Sequence, residues 1–202
     1  MTKLSDYAIL LIGFSFLFLL LNKIAFGVSL ILGILILIFF NLDVIINQSK
    51  RIFKKISKYE VLINSFFLFF FFISAFLSIK PYRSFLVIIY LNLFIILSFF
   101  VFLILLENKK KAIFLFKILS ISFAASAILI FIYNVSNFQF EELSKFKGFV
   151  NLMTIFTVVN FFLIKSKFNY ITIILLIPNI IMSGSSASVL GILIGIFLCL
   201  IF

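Results

Sequence analysis

The chain has 202 residues, of which 65% are hydrophobic and 11% charged, with a net charge of +11. At a mean hydropathy of +1.40 it holds more apolar surface than a soluble domain of this size can bury, so runs of about 18 or more apolar residues are read as helices in lipid. The cationic excess would suggest nucleic acid in a soluble protein. Here it lies in the polar breaks between apolar runs, where it sets orientation, and no nucleic-acid partner is expected.

Eight apolar cores follow in chain order: Tyr7–Leu21, Ile24–Phe40, Val61–Ile79, Ser84–Leu106, Ala112–Tyr133, Phe149–Ile164, Phe168–Met182 and Ala187–Phe202. In hydrocarbon every backbone polar group must be satisfied within the chain, and no period-2 alternation of a membrane barrel is present, so these cores are expected to be helices. The expectation is an all-α integral membrane protein: a polytopic helical bundle of about eight transmembrane helices, forming one domain over 1–202. Only Asn22-Lys23 separates the first two cores, as a tight outer turn. Ala25-Phe26-Gly27 has the pattern of a small-x-small cleavage site, but a second long core follows at once, which favours an uncleaved anchor. The chain closes on Leu200-Ile201-Phe202 without a polar tail, which suggests the N-terminal part of a longer protein.

Counted over alternate breaks, Lys3, Lys50, Arg51, Lys54, Lys55, Lys58, Lys109, Lys110, Lys111, Lys117, Lys165 and Lys167 fall on one side; Lys23, Lys80, Arg83, Lys145 and Lys147 fall on the other. The richer side is expected to be cytoplasmic. That places the N-terminus inside and the breaks at Lys80–Arg83, Asn134–Gly148 and Ser183–Ser186 outside. The basic Ser49–Lys58 segment reads as a loop that anchors this topology, or alternatively as a site for anionic headgroups.

Few side chains could carry chemistry. Cys199 is the only cysteine and the chain has no histidine, so neither a zinc site nor a Cys/His nucleophile pair can be assembled, and no metal or cofactor is expected. The 33 phenylalanines are read as compositional bias rather than function. Asn64, Asn92, Asn160 and Asn179, with Ser74, Ser78, Ser98, Ser120, Ser122 and Ser126, are expected to bond their own helix or a neighbouring one. Glu141-Glu142 reads as a solvated stretch of the outer loop.

Two outer segments stand apart. In Ser78-Ile79-Lys80-Pro81-Tyr82-Arg83-Ser84, two cations flank a proline against the positive-inside bias. The planar fork of Arg83 suits a phosphate, with Lys80 beside it; a plain interfacial anchor is the alternative. In Ser183-Gly184-Ser185-Ser186-Ala187-Ser188, hydroxyls gather where the eighth core is expected to begin, so Ser183, Ser185 and Ser186 are candidates for an anion at a helix start; a capped re-entrant turn is the alternative. Beyond them Ala187, Gly191 and Gly195 recur every fourth residue, a stripe that lets another helix pack closely.

The run from Asn179 through Ser183-Gly184-Ser185-Ser186-Ala187 to Gly195 resembles the Ser-Gly-Ser-Arg-small-Ala segment, with its Leu/Gly-rich helix, of the O-antigen ligase and polymerase family. Ser78–Ser84 is similar to that family's earlier Pro-x-Arg-Ser segment, and Lys147-Gly148-Phe149-Val150-Asn151 is faintly similar to its later Gly-x-x-x-Asn. The resemblance spans about residues 70–202. It implies metal-free transfer of undecaprenyl-pyrophosphate-linked glycan at the outer face of the inner membrane, either to lipid A core or to another glycan. Arg83 would be the pyrophosphate contact. The family's motif arginine falls on Ser186 here, and its histidine-bearing outer loop has no counterpart. Other classes the sequence admits are a transporter or permease fragment, with a helix break at Pro178-Asn179, and a non-catalytic membrane assembly subunit.

Overall fold

A computed structural model describes residues 2–136, 146–164, 166–184, 188–189 and 192. Among them are eight named helices and no strand: α1 (Thr2–Leu21), α2 (Lys23–Phe39), α3 (Leu42–Phe53), α4 (Lys58–Phe76), α5 (Pro81–Glu107), α6 (Lys109–Ser136), α7 (Lys147–Leu163) and α8 (Lys167–Ser183). The expected all-helical class holds. Seven of the eight apolar cores coincide with α1, α2 and α4 to α8, while the eighth, Ala187–Phe202, lies almost wholly outside the described residues.

The expected count of eight spans is not confirmed. Three described helices, α1, α5 and α6, are long and apolar enough to cross a membrane, or four if α2 and α3, bent by 82°, count as one broken span. For α2, α7 and α8 the reason is length: they have 17 residues each, which at the helical rise is roughly 26 Å against a hydrocarbon core of about 30 Å. The 19-residue α4 is not counted either, and length does not explain it. A difference from expectation is α3. The segment read as a basic loop from Ser49 is helical from Leu42 to Phe53 and strongly amphipathic.

The chain divides into two compact units. One holds Met1–Ile36 with Lys110–Phe202, the other Leu37–Lys109.

In the first unit, α1 and α2 form a hairpin around Asn22. Its side-chain Oδ1 accepts from the Ile24 amide at 2.8 Å, giving α2 an N-cap. Glycines let α1 approach its neighbours. A Cβ on Gly33 would stand 3.1 Å from the Ala8 carbonyl oxygen on α1, and one on Gly13 would stand 2.9 Å from Ile118 Cβ on α6. Four rings then lock four helices together. Phe16 of α1 lies 5.5 Å from Phe26 of α2, 5.2 Å from Phe123 of α6 and 5.6 Å from Phe156 of α7, between centroids. Phe123 stacks on Phe156 at 5.7 Å.

This unit also buries polar groups that tie α6, α7 and α8 together. Asn160 Nδ2 of α7 donates to the Phe116 carbonyl and to Ser120 Oγ of α6, each at 3.4 Å. Asn179 Nδ2 of α8 donates to the Ala127 carbonyl of α6 at 3.0 Å. Asn169 Nδ2 donates to the Ile164 carbonyl at 2.7 Å and so caps the end of α7. The helix α8 runs unbroken through Pro178, so no helix break opens at Pro178-Asn179.

In the second unit, α4 and α5 form a hairpin closed by an edge-to-face pair, Phe76 and Phe85, at 4.9 Å. The helix α3 packs against the far end of α5, where Gln48 Nε2 donates to Glu107 Oε2.

Candidate functional site

The Ser78–Ser84 segment is the turn between α4 and α5, in the second unit. Its conformation follows from three residues. Pro81 occupies the first turn of α5, where its fixed φ fits and its missing N–H costs nothing. Ser78 Oγ accepts from the Lys80 amide at 3.3 Å and from Ser84 Oγ at 2.7 Å, bridging the turn to the helix it opens. Ser84 N donates to the Lys80 carbonyl at 3.1 Å, the first intrahelical bond. The amides of Tyr82 and Arg83 therefore sit at the positive end of the α5 dipole, ahead of that bond.

Beside this turn is a hollow of about 350 Å³ lined by Phe71, Ser74, Ala75, Ser78, Arg83, Ser84, Val87 and Ile88. A guanidinium and three hydroxyls meet an otherwise apolar wall there. Lys80 and Arg83 are both exposed, and no Asp or Glu occurs between Glu60 and Glu107. A planar five-donor fork, a second cation and a helix start can hold a phosphate group while the apolar wall accommodates a lipid chain.

The serine window is placed differently. Ser183 is the last residue of α8, and Gly184 terminates that helix in the left-handed conformation, at φ 60°, with its amide donating to Ile181 O at 3.2 Å. The Ser183 hydroxyl is buried and donates to the Ile180 carbonyl at 3.3 Å. A helix C-terminus presents carbonyls and the negative end of the dipole, which disfavours an anion. Ser183 thus serves the end of a helix, not the start of one. Ser185, Ser186, Ala187, Gly191 and Gly195 lie outside the described residues, as do Glu141, Glu142, Lys145 and Cys199.

Ser188 is described and buried, and its Oγ donates to Asn151 Oδ1 on α7 at 2.6 Å. Asn151 of the Lys147–Asn151 segment and Ser188, two residues singled out by separate motifs in the sequence, are therefore joined in the first unit. The Ser78–Ser84 segment belongs to the second unit.

Asn92, Asn160, Asn179 and Ser120 bond their own or a neighbouring helix as expected, whereas Ser122 and Ser126, for which the same was expected, have no partner among the described residues. Asn92 Nδ2 donates to Ile88 O of its own helix at 2.8 Å, and Ser120 Oγ to Phe116 O at 2.9 Å. Sequence reasoning missed a set of buried polar atoms that have no partner among the described residues: Ser122 Oγ, Ser126 Oγ, Thr157 Oγ1, Asn160 Oδ1, Asn179 Oδ1 and both side-chain polar atoms of Asn134. The one signal for them was the density of Ser and Asn in cores otherwise built of Ile, Leu and Phe. No group of three or more His, Cys, Asp or Glu that could share a metal ion occurs among the described residues. Comparisons with protein-family models, curated proteins and solved structures find no match to this chain.

Proposed function

We propose that the protein handles a polyprenyl-pyrophosphate-linked glycan at the outer face of a bacterial inner membrane, in the manner of an O-antigen ligase or polymerase, with lipid A core or another glycan as acceptor. The single observation that carries this is the hollow at the α4–α5 turn, where Arg83 and the hydroxyls of Ser74, Ser78 and Ser84 line an otherwise apolar wall. A pyrophosphate on a long isoprenoid needs both kinds of surface at one place: fixed cationic donors for the charge and an open apolar flank for the lipid. In glycosyl transfer the bond from the sugar anomeric carbon to the pyrophosphate oxygen breaks, and negative charge grows on that oxygen. Arg83, with Lys80 and the start of α5, would stabilise that charge by preorganised donors. The acceptor hydroxyl oxygen forms the new bond to that anomeric carbon, and its proton passes to water at the outer face as the pyrophosphate departs.

Membranes carrying the protein, an undecaprenyl-pyrophosphate-linked oligosaccharide and the acceptor test this directly. Arg83→Gln is expected to lower product by about 100-fold or more, the usual scale for losing one transition-state donor, while Arg83→Lys recovers part of it. Unchanged product ladders in Arg83→Gln would exclude the role.

Transport is the second reading. It is favoured by the unpartnered buried polar atoms on α6, α7 and α8, since polar groups at membrane depth often mark a pathway. Uptake of a solute by vesicles carrying the protein, abolished in Asn134→Leu, would support transport over glycan transfer.

A further inference from the structure

We propose that α3 is an in-plane interfacial helix that binds anionic phospholipid headgroups. The helix has three distinct sides. At 100° per residue, Ile45, Gln48 and Ile52 share the side packed on α5. Ile45 and Gln48 are buried, and Gln48 holds the Glu107 carboxylate. Next around the helix come Leu42, Ile46 and Phe53, which are 47%, 50% and 65% exposed although large and apolar. Beyond them, on the side turned away from α5, lie Asp43, Asn47, Lys50 and Arg51, all exposed.

The direction of α3 suits a membrane surface. The axis turns by 82° between α2 and α3. The bend is fixed at Asn41, whose Nδ2 donates to the Leu37 carbonyl at 2.7 Å while its own carbonyl accepts from Ile45 N at 3.1 Å. An apolar helix followed by a near-perpendicular amphipathic one is the geometry of a chain leaving the hydrocarbon and turning along the interface, with apolar side chains at the acyl boundary and cations among the headgroups.

Charge identifies the occupant of the polar side. Lys50, Arg51, Lys54, Lys55 and Lys58 are all exposed, and no acidic residue lies between Asp43 and Glu60. Lys50 and Arg51 are in the last helical turn and Asp43 in the first, so the helix dipole favours both placements. The nearest packed carboxylate, Glu107, already accepts from Gln48. Lys109, Lys110 and Lys111 follow closely after Glu107 in the chain. A neutral surface would not need five exposed cations beside three exposed apolar side chains; an anionic bilayer matches both.

The chain has no tryptophan, so a single introduced one reports its own depth. The full protein is placed in nanodiscs of phosphatidylcholine alone or with phosphatidylglycerol. In the mixed bilayers, Phe53→Trp is expected to be quenched by lipids brominated near the glycerol end of the acyl chain, and Asn47→Trp is not. Spin-labelled phosphatidylglycerol should associate more strongly than spin-labelled phosphatidylcholine, and Arg51→Gln should lower that preference by about fivefold at low salt. Quenching of Phe53→Trp only by an aqueous quencher, or equal quenching at both positions, would overturn the in-plane placement. An anionic preference unaltered by Arg51→Gln and by Lys54→Gln would overturn the headgroup assignment.

Discussion

The helices α5 and α6 have nearly the same length, 27 and 28 residues, and both are apolar enough to cross a membrane. Yet 56% of the apolar window of α6 is buried in the protein, against 11% for α5. The more hydrophobic of the two is α5, so hydrophobicity did not decide which helix is packed. Lipid tails are as apolar as Leu or Phe, so an Ile- and Phe-covered helix gains little by leaving lipid for protein. What distinguishes α6 is small and polar side chains: Ser120, Ser122, Ala124, Ser126, Ala127 and Asn134 are all buried. Neither Ala nor Gly occurs in α5. Small residues let backbones approach and polar ones bond across the gap, and both contribute only when another helix is there.

That contrast is sharpest at phenylalanine. Phe123 of α6 is 1% exposed and touches Phe16 and Phe156, while Phe94 of α5 is 52% exposed. Phe123→Ala is expected to cost about 2–3 kcal/mol in a reversible unfolding titration in mixed micelles. The loss falls at or below the usual range for a buried phenylalanine because lipid removes the transfer term and leaves the cavity and lost dispersion. Phe94→Ala is expected to stay within about 0.5 kcal/mol. Equal losses at the two positions would show that α5 is as tightly packed as α6.

Glycine offers a smaller effect of opposite signs. At Gly13 of α1 a Cβ meets Ile118 of α6, whereas at Gly27 of α2 nothing lies within 4 Å. Gly13→Ala should destabilise by about 1–3 kcal/mol through overpacking. Gly27→Ala should stabilise by up to about 1 kcal/mol, the helical preference of alanine over glycine. Thermal unfolding in detergent separates them: Tm falls for the first and holds or rises for the second. A fall at both would mean that the exposed face of α2 is covered by something other than lipid.

How far the sequence anticipated these features follows from the same physics. Apolar runs of Ile, Leu and Phe mark where backbone must be helical, so α1, α2 and α4 to α8 were visible. The helix α3 was not, because half of its residues are polar and its helicity rests on an amphipathic period that a search for long apolar runs passes over. The Pro-Tyr-Arg-Ser segment was recognisable because proline at the first helical turn and a pair of cations beside it are local signals. Ser183 is ambiguous in the sequence because a Ser-Gly pair ends one helix as readily as it precedes another, and only the positive φ of Gly184 distinguishes the two. The phenylalanines set aside as compositional bias include the four that join α1, α2, α6 and α7, a role their spacing could not announce.

The smallest expected effect is also the most discriminating between structure and function. Asn134 of α6 is fully buried, and among the described residues neither its amide nitrogen nor its oxygen finds a partner, whereas Asn92 of α5 donates to Ile88 O in its own helix. If the packed unit is only a scaffold, Asn134 is a defect, since an unsatisfied buried amide costs about 1–3 kcal/mol. Asn134→Leu should then stabilise by about 1 kcal/mol after some is lost to imperfect fit, and Asn92→Leu should change little. Stability that rises without change in glycan transfer would assign Asn134 to the packing between helices alone. Stability that rises while transfer or solute uptake falls would mark it as a group kept unpaired for a ligand, since the amide would then be costing stability while serving activity. A loss of stability would show instead that water or another part of the chain satisfies the amide, and the packed unit would then be wetter than α6 suggests.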